Sequence, residues 1–173
     1  MKILIYSFIG LLSQFVHAEE INIDGFTLGG GVSTWHYEEP TQTHSPISFE
    51  VVINYELFDS LLFSARVGVG IDDDENKEDG SSQTVGFNSY KLLYLSPFHD
   101  WGNFKFYALL GYASYEIEAN HISNSDVSSS GATYGAGLSY MFDEASFLIE
   151  WRRLPDTGDF DLASISIGFT LPY

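Results

Sequence analysis

Beyond its first twenty or so residues the chain alternates between apolar and polar positions with a period of two. That is the spacing of strands whose two faces meet different surroundings. The pattern is sharpest at the end, where every odd position from Ala163 to Tyr173 is apolar and every even one is small or polar. Ile47, Phe49, Val51, Ile53, Tyr55 and Leu57 interleave with Ser48, Glu50, Val52, Asn54 and Glu56. Leu61, Phe63, Ala65, Val67, Val69 and Ile71 alternate with Leu62, Ser64, Arg66, Gly68 and Gly70. Tyr134, Ala136, Leu138, Tyr140 and Phe142 stand opposite Thr133, Gly135, Gly137 and Ser139. Eight strands are predicted, at residues 23–36, 47–57, 61–71, 83–95, 103–117, 131–142, 146–154 and 162–173.

The connections carry further information. Three are short: Phe58 to Ser60, Ser96 to Gly102, and Asp143 to Ala145. The other four are longer and polar. An even strand count with short turns alternating with long loops is the layout of a bacterial outer-membrane barrel, with both termini on the periplasmic side. Hydrocarbon offers no partner to a backbone N–H or C=O, so a spanning sheet closes on itself. The expected fold is therefore all-β, an eight-stranded antiparallel up-and-down transmembrane β-barrel. Its narrow lumen suits the small residues on the more polar face: Gly29, Gly31, Gly68, Gly70, Gly135, Gly137, Ser164 and Ser166. Phe58, Phe98, Trp101, Phe104, Phe142, Phe147 and Tyr173 fall by the short turns, and Trp35, Tyr37, Tyr115 and Trp151 toward the long loops. Two aromatic girdles at the membrane interfaces would distribute them so.

Periodicity alone also fits a soluble lipocalin-like barrel with aromatics inside. The N-terminus weighs against that alternative. Lys2 precedes an apolar run, Ile3 to Leu12, and Val16-His17-Ala18 offers a signal-peptidase site. The run is broken by Tyr6, Ser7 and Gly10 and is too short to span a bilayer as a helix. We expect residues 1–18 to be a signal peptide and 19–173 the barrel domain.

Composition narrows the classes of function. The chain has 173 residues, no Cys and a formal charge of −17. Disulfides and thiolate metal sites are excluded. Nucleic acid is excluded as a partner, because phosphate binding needs clustered Lys and Arg.

Three segments carry a family resemblance: Phe106-Tyr107-Ala108-Leu109-Leu110-Gly111-Tyr112, Gly131-Ala132-Thr133-Tyr134-Gly135-Ala136-Gly137-Leu138-Ser139-Tyr140, and the terminal Ile165 to Tyr173. They resemble the Tyr-Ala-x-x-Gly, Tyr-Gly-x-Gly-x-x-Tyr and aromatic-terminated strands of the OmpA- and opacity-type outer-membrane barrels. The resemblance covers the chain beyond the leader and implies location in the outer membrane of a Gram-negative bacterium. It also implies contact with outer-membrane lipid and lipopolysaccharide, and handling by the barrel assembly machinery. For the last of these, Ile165, Ile167, Phe169, Leu171 and Tyr173 would form the assembly signal. The final Tyr, preceded by Pro172, departs from the commoner terminal Phe.

Four sets of residues are candidates for chemistry. Asp72, Asp74 and Asn76 have the spacing of the first EF-hand ligands, but Lys77 and Gln83 stand where that loop needs Gly and Glu. A solvated acidic loop is expected, with no metal bound. His121-Ile122-Ser123-Asn124 is similar to the His-x-Ser-Asn element of lipid A deacylases, yet it falls in a Ser-rich loop. Glu50, Glu56, Arg66, Lys91, Lys105, Glu150 and Arg152 are expected to form a charge network in the lumen, since buried charges need partners. Strand four is ambiguous, because an inward Lys91 brings Leu93 and Leu95 inward too, the mark of a bulge. Arg153, at the outer rim, is a candidate contact for lipopolysaccharide phosphate. No catalytic or cofactor-binding residue is expected. The function anticipated is non-enzymatic: a barrel displaying acidic extracellular loops, in envelope integrity, adhesion or host interaction through a host or surface ligand. A lipid-modifying enzyme and a narrow channel are the rivals.

Overall fold

The structure, a computed structural model, describes residues 25–38, 43–78, 81–119, 127–155 and 161–173. The expected leader lies outside them. The described residues form β1 (Phe26–Glu38), β2 (Thr43–His44), β3 (Ile47–Phe58), β4 (Leu61–Asp72), β5 (Asp74–Glu78), β6 (Ser81–Trp101), β7 (Phe104–Ala119), β8 (Val127–Phe142), β9 (Ala145–Arg153) and β10 (Asp161–Pro172). Eight of these form an antiparallel ring in the order β1-β3-β4-β6-β7-β8-β9-β10, and β10 pairs back to β1 over twelve positions. The two short strands, β2 and β5, extend β1 and β6 beyond the ring. Closure satisfies the backbone of every barrel strand on both edges, which a lipid-facing sheet requires.

Followed once around the ring from Pro172, the register passes Thr27, Asn54, Ser64, Tyr94, Gly111 and Thr133. It returns to β10 at Leu162, whose carbonyl accepts from Leu154 N–H at 2.9 Å. The stagger is the ten residues between Leu162 and Pro172. In eight strands this tilts each strand by roughly 40° to the barrel axis and leaves an interior that side chains can fill.

Two connections differ from expectation. The hairpin joining β6 and β7 runs on as paired strand to Trp101 and Phe104, so its turn is only Gly102-Asn103. Gly102 takes a φ of +61° there, a left-handed conformation that glycine adopts without steric cost. At the opposite end, the acidic run expected as a loop continues the sheet. Asp74–Glu78 pairs with β6, and Asn76 stands across from Gln83 rather than wrapping a common centre with it.

The two faces differ as a lipid-facing barrel demands. Ile53, Val67, Leu110, Ile149, Ile165, Ile167 and Phe169 are exposed outward, while Ser33, Glu50, Arg66, Glu150, Arg152 and Ser166 are buried inside. Around the short-turn end Phe58, Trp101, Phe142 and Phe147 face out, and Tyr112, Tyr134 and Trp151 form the upper band. Three aromatics expected in these girdles sit inside instead. Trp35 is 1% exposed and Tyr115 2%, and Phe98 is buried beneath the Lys105 ammonium, 3.7 Å from its ring centroid. Trp35 shares parity with Gly31 and Ser33 on β1, so its side chain must enter the lumen with theirs. Tyr37 lies in β1, but its side chain is outside the described residues.

Candidate functional site

The centre of the lumen is a charged layer assembled from opposite sides of the ring. β3 contributes Glu50, β4 Arg66, and β9 both Glu150 and Arg152. All four are at most 3% exposed. The Arg66 guanidinium grips Glu150 through both terminal nitrogens, Nη2 reaching Oε1 at 2.7 Å and Nη1 contacting Oε2. Such a two-pronged pair matches the planar fork of Arg to the carboxylate. Glu50 accepts from Arg152 Nη1 at 2.8 Å, Ser166 Oγ at 2.9 Å, Tyr90 O–H at 3.1 Å and, more distantly, Arg66 Nη1 at 3.5 Å. Arg152 also donates to Ser33 Oγ at 2.7 Å and Ser164 Oγ at 3.3 Å. Tyr107 O–H donates to Glu150 at 2.6 Å. The chain of contacts Arg152–Glu50–Arg66–Glu150 alternates in sign and carries no net charge. That balance is what makes two carboxylates tolerable in an interior that water barely reaches.

The tyrosines that complete this layer depend on glycines across the sheet. Tyr90 pairs with Gly68, Tyr94 with Gly111 and Tyr107 with Gly137. A Cβ on Gly68 would come within 2.0 Å of the Tyr90 ring, and one on Gly137 within 2.4 Å of the Tyr107 ring. Each ring thus lies over a gap in the opposite strand, a way of packing large side chains into a narrow barrel.

Of the seven charges expected in the lumen, four meet in this layer. Lys105 and Glu56 form a separate, looser pair at the short-turn end, with Nζ 3.8 Å from both Glu56 and Asp100. Lys91 is not in the lumen. A bulge between Phe87 and Ser89 changes the phase of β6, so that Tyr90, Leu92 and Tyr94 point inward below it. Lys91 is therefore exposed on the outer face with Leu93 and Leu95, next to Val67 of β4 and Ser114 of β7. Arg153 lies at the outer rim, where Nη2 donates to Asp161 Oδ1 at 2.5 Å. The terminal set Ile165, Ile167, Phe169, Leu171 and Tyr173 is exposed along one face of β10. His121, Ser123 and Asn124 lie outside the described residues. Among the described residues no group of three or more His, Asp or Glu is placed to hold a metal.

The two halves of the lumen differ. Toward the long connections Trp35, Phe87, Tyr115, Ile117, Leu154 and Leu162 pack into one buried cluster. Trp35 Nε1 ties it to the charged layer through Ser48, at 2.7 Å, and Ser48 through Tyr90, at 3.1 Å. Toward the short turns the lumen holds a cavity of about 180 Å³. Its mouth carries Glu56 and Lys105, and its inner wall Arg66 and Glu150.

A closed ring with an apolar exterior and a charge-paired interior is an outer-membrane architecture, and the profile of one family decides the matter. That of the outer membrane protein beta-barrel domain matches residues 5–171. The chain belongs to that family. It is thus an integral protein of the Gram-negative outer membrane. Solved barrels of the same shape are only distantly similar in sequence. The attachment invasion locus protein Ail of Yersinia pestis, in complex with the heparin analogue sucrose octasulfate, is 16% identical at a TM-score of 0.60, covering 84% of this chain and 96% of that one. Neisserial surface protein A is 12% identical at 0.64, covering 87% and 98%. OprG of Pseudomonas aeruginosa is 13% identical at 0.54, covering 84% and 94%. These likenesses establish the shared fold. No curated protein sequence matches the chain.

Proposed function

We propose that this barrel is a non-enzymatic display scaffold whose acidic outer loops bind a basic host or surface ligand in adhesion. The observation that carries the reading is where its charge lies. The four long connections expected from the sequence, residues 37–46, 72–82, 118–130 and 155–161, hold thirteen of the chain's 24 acidic residues and a single Lys. One-signed potential of this kind steers an oppositely charged partner and repels a like one. A polysulfated sugar such as the one bound to Ail is thereby disfavoured, and a cationic protein surface favoured. The filled upper lumen supports display over conduction. The same reading gives Arg153 a phosphate of lipopolysaccharide as its outer partner, competing with Asp161. It gives β10 a second task as the signal read by the assembly machinery, through strand addition.

Adhesion of cells displaying the protein to lysozyme-coated and heparin-coated surfaces tests this. Binding to the basic lysozyme coat is expected to fall when Asp72, Asp73, Asp74 and Glu75 are changed to their amides, and to weaken with added salt. Adhesion to heparin that survives the amide changes would overturn it.

A further inference from the structure

We infer that the cavity in the lower lumen is a binding site for a small oxyanion, a carboxylate or a phosphate, entering from the periplasm. The cavity is one-sided. Short turns of outer-membrane barrels face the periplasm, and the lining residues Phe26, Asn54, Ser146 and Pro172 all lie near the short-turn ends of their strands. Above it the charged layer and the aromatic cluster close the lumen. A solute that enters therefore stays on the periplasmic side.

Among the described residues, two buried polar groups in its wall lack a hydrogen-bond partner: Arg66 Nε and Ser96 Oγ. Arg66 is 3% exposed and Ser96 1%, and both line the cavity. The terminal nitrogens of Arg66 are engaged by Glu150 and Glu50, and the Nε–H is a donor still without an acceptor. A buried N–H without an acceptor costs free energy, and an incoming oxygen recovers it. Lys105 Nζ stands at the mouth over the Phe98 ring, with Glu56 and Asp100 each 3.8 Å away. An ammonium so loosely held can turn inward. Of the two carboxylates that line the cavity, Glu150 is neutralised by the paired guanidinium and by Tyr107, and Glu56 faces the Lys105 ammonium at 3.8 Å. A wall that offers a guanidinium N–H, a hydroxyl and an ammonium selects a ligand made of acceptors. The volume of 180 Å³ limits that ligand to a few non-hydrogen atoms with their hydration, since each water takes about 30 Å³.

The test is an amide NMR titration of the full mature barrel refolded in micelles, with inorganic phosphate and acetate as separate probes and sodium chloride at matched ionic strength as the reference. Saturable shifts in the millimolar range, centred on Ser96, Lys105 and Tyr107, are expected from at least one probe. The probe that saturates at lower concentration identifies the class. Ser96→Val, which removes the hydroxyl and fills space, is expected to weaken binding about tenfold. Lys105→Gln is expected to weaken it less. The parent's unboiled gel mobility certifies that each variant is folded. Shifts no larger than those from chloride, or unchanged in folded Ser96→Val, would overturn the proposal and leave the cavity a pocket of water.

Discussion

Glu50 is the member of the charged layer whose loss the structure predicts to be most damaging. Glu50→Ala removes an acceptor shared by Arg152, Ser166, Tyr90 and Arg66. Arg66 keeps Glu150. Arg152 does not have such a reserve. Its ion pair is with Glu50, and what remains are the neutral hydroxyls of Ser33 and Ser164. A guanidinium that is 0% exposed is then left without a counter-charge in contact, which costs about 3–5 kcal/mol. With an unchanged slope, the midpoint of urea unfolding in micelles falls by roughly 1–2 M. Trp35, whose ring lies 5.7 Å from the Arg152 guanidinium carbon, supplies a fluorescence signal from the layer itself. Taking out both partners removes the orphan. Glu50→Leu with Arg152→Leu is therefore expected to be more stable than Glu50→Ala alone, giving a coupling of about 2 kcal/mol in a double-mutant cycle. Two results would refute the reasoning: a Glu50→Ala midpoint within experimental error of the parent, or leucine changes whose costs simply add.

Other expectations follow from the packing and the rim. In Gly111→Ala the new Cβ would meet the Leu93 carbonyl oxygen at 1.9 Å, and because backbone must move to make room the cost is about 2 kcal/mol or more; a variant as stable as the parent in the same urea series contradicts this. Deleting Tyr173, 40% exposed, should cost the folded barrel on the order of 1 kcal/mol yet lower its amount in the outer membrane several-fold if the terminal strand is read during assembly; equal losses in both measurements make its role structural only. Arg153→Ala should reduce co-purifying lipopolysaccharide with no change in gel mobility, whereas an unchanged lipid content would refute the phosphate contact and make its contacts within the protein, that to Asp161 among them, what matters. Epitope tags between Glu78 and Ser81 should be accessible on intact cells and tags at Asp59 or Glu144 should not, and reversed labelling would invert the barrel.

Most of the fold is legible in the sequence because the membrane imposes a simple rule on each strand. Leu61 to Ile71 and Ala163 to Tyr173 show the outward face without interruption, and the ring closes as the even strand count requires. What is not legible is anything that breaks the count of two. Lys91 lies on a segment where Tyr90, Leu92 and Tyr94 are as apolar as Leu93 and Leu95, so neither phase is marked, and the bulge at Phe87 to Ser89 that settles the matter leaves no residue signal of its own. Trp35 and Tyr115 share parity with Gly31 and Ala113, which marks them as inward, yet an aromatic at a strand end fits the interface and the lumen equally well. The long hairpin through Asp74–Glu78 was hidden by charge, because acidic residues are poor strand formers until a paired neighbour such as Ser81 to Val85 supplies the ladder. At the site, six of the seven charges could be placed on the inner face, but which of them meet depends on the ten-residue stagger, a property of the closed ring rather than of any one strand.

That dependence has a consequence for how the protein forms. Glu50 and Arg66 are carried by strands of the N-terminal half, Glu150 and Arg152 by β9, and the contacts between them span up to 102 residues of chain. A half-finished sheet presents Glu50 and Arg66 to one another only at 3.5 Å and leaves Arg152 without Glu50, and Arg66 without the two-pronged grip on Glu150. The charges reach their short contacts when β10 meets β1 and curls the C-terminal strands over the rest. Non-local pairing of this kind is slow to reach, and its reward arrives late and all at once. An incompletely closed chain entering the bilayer would have to carry unmatched guanidinium and carboxylate groups into hydrocarbon, so the layer acts as a toll on premature insertion and ties the crossing of the membrane to the completion of the circle.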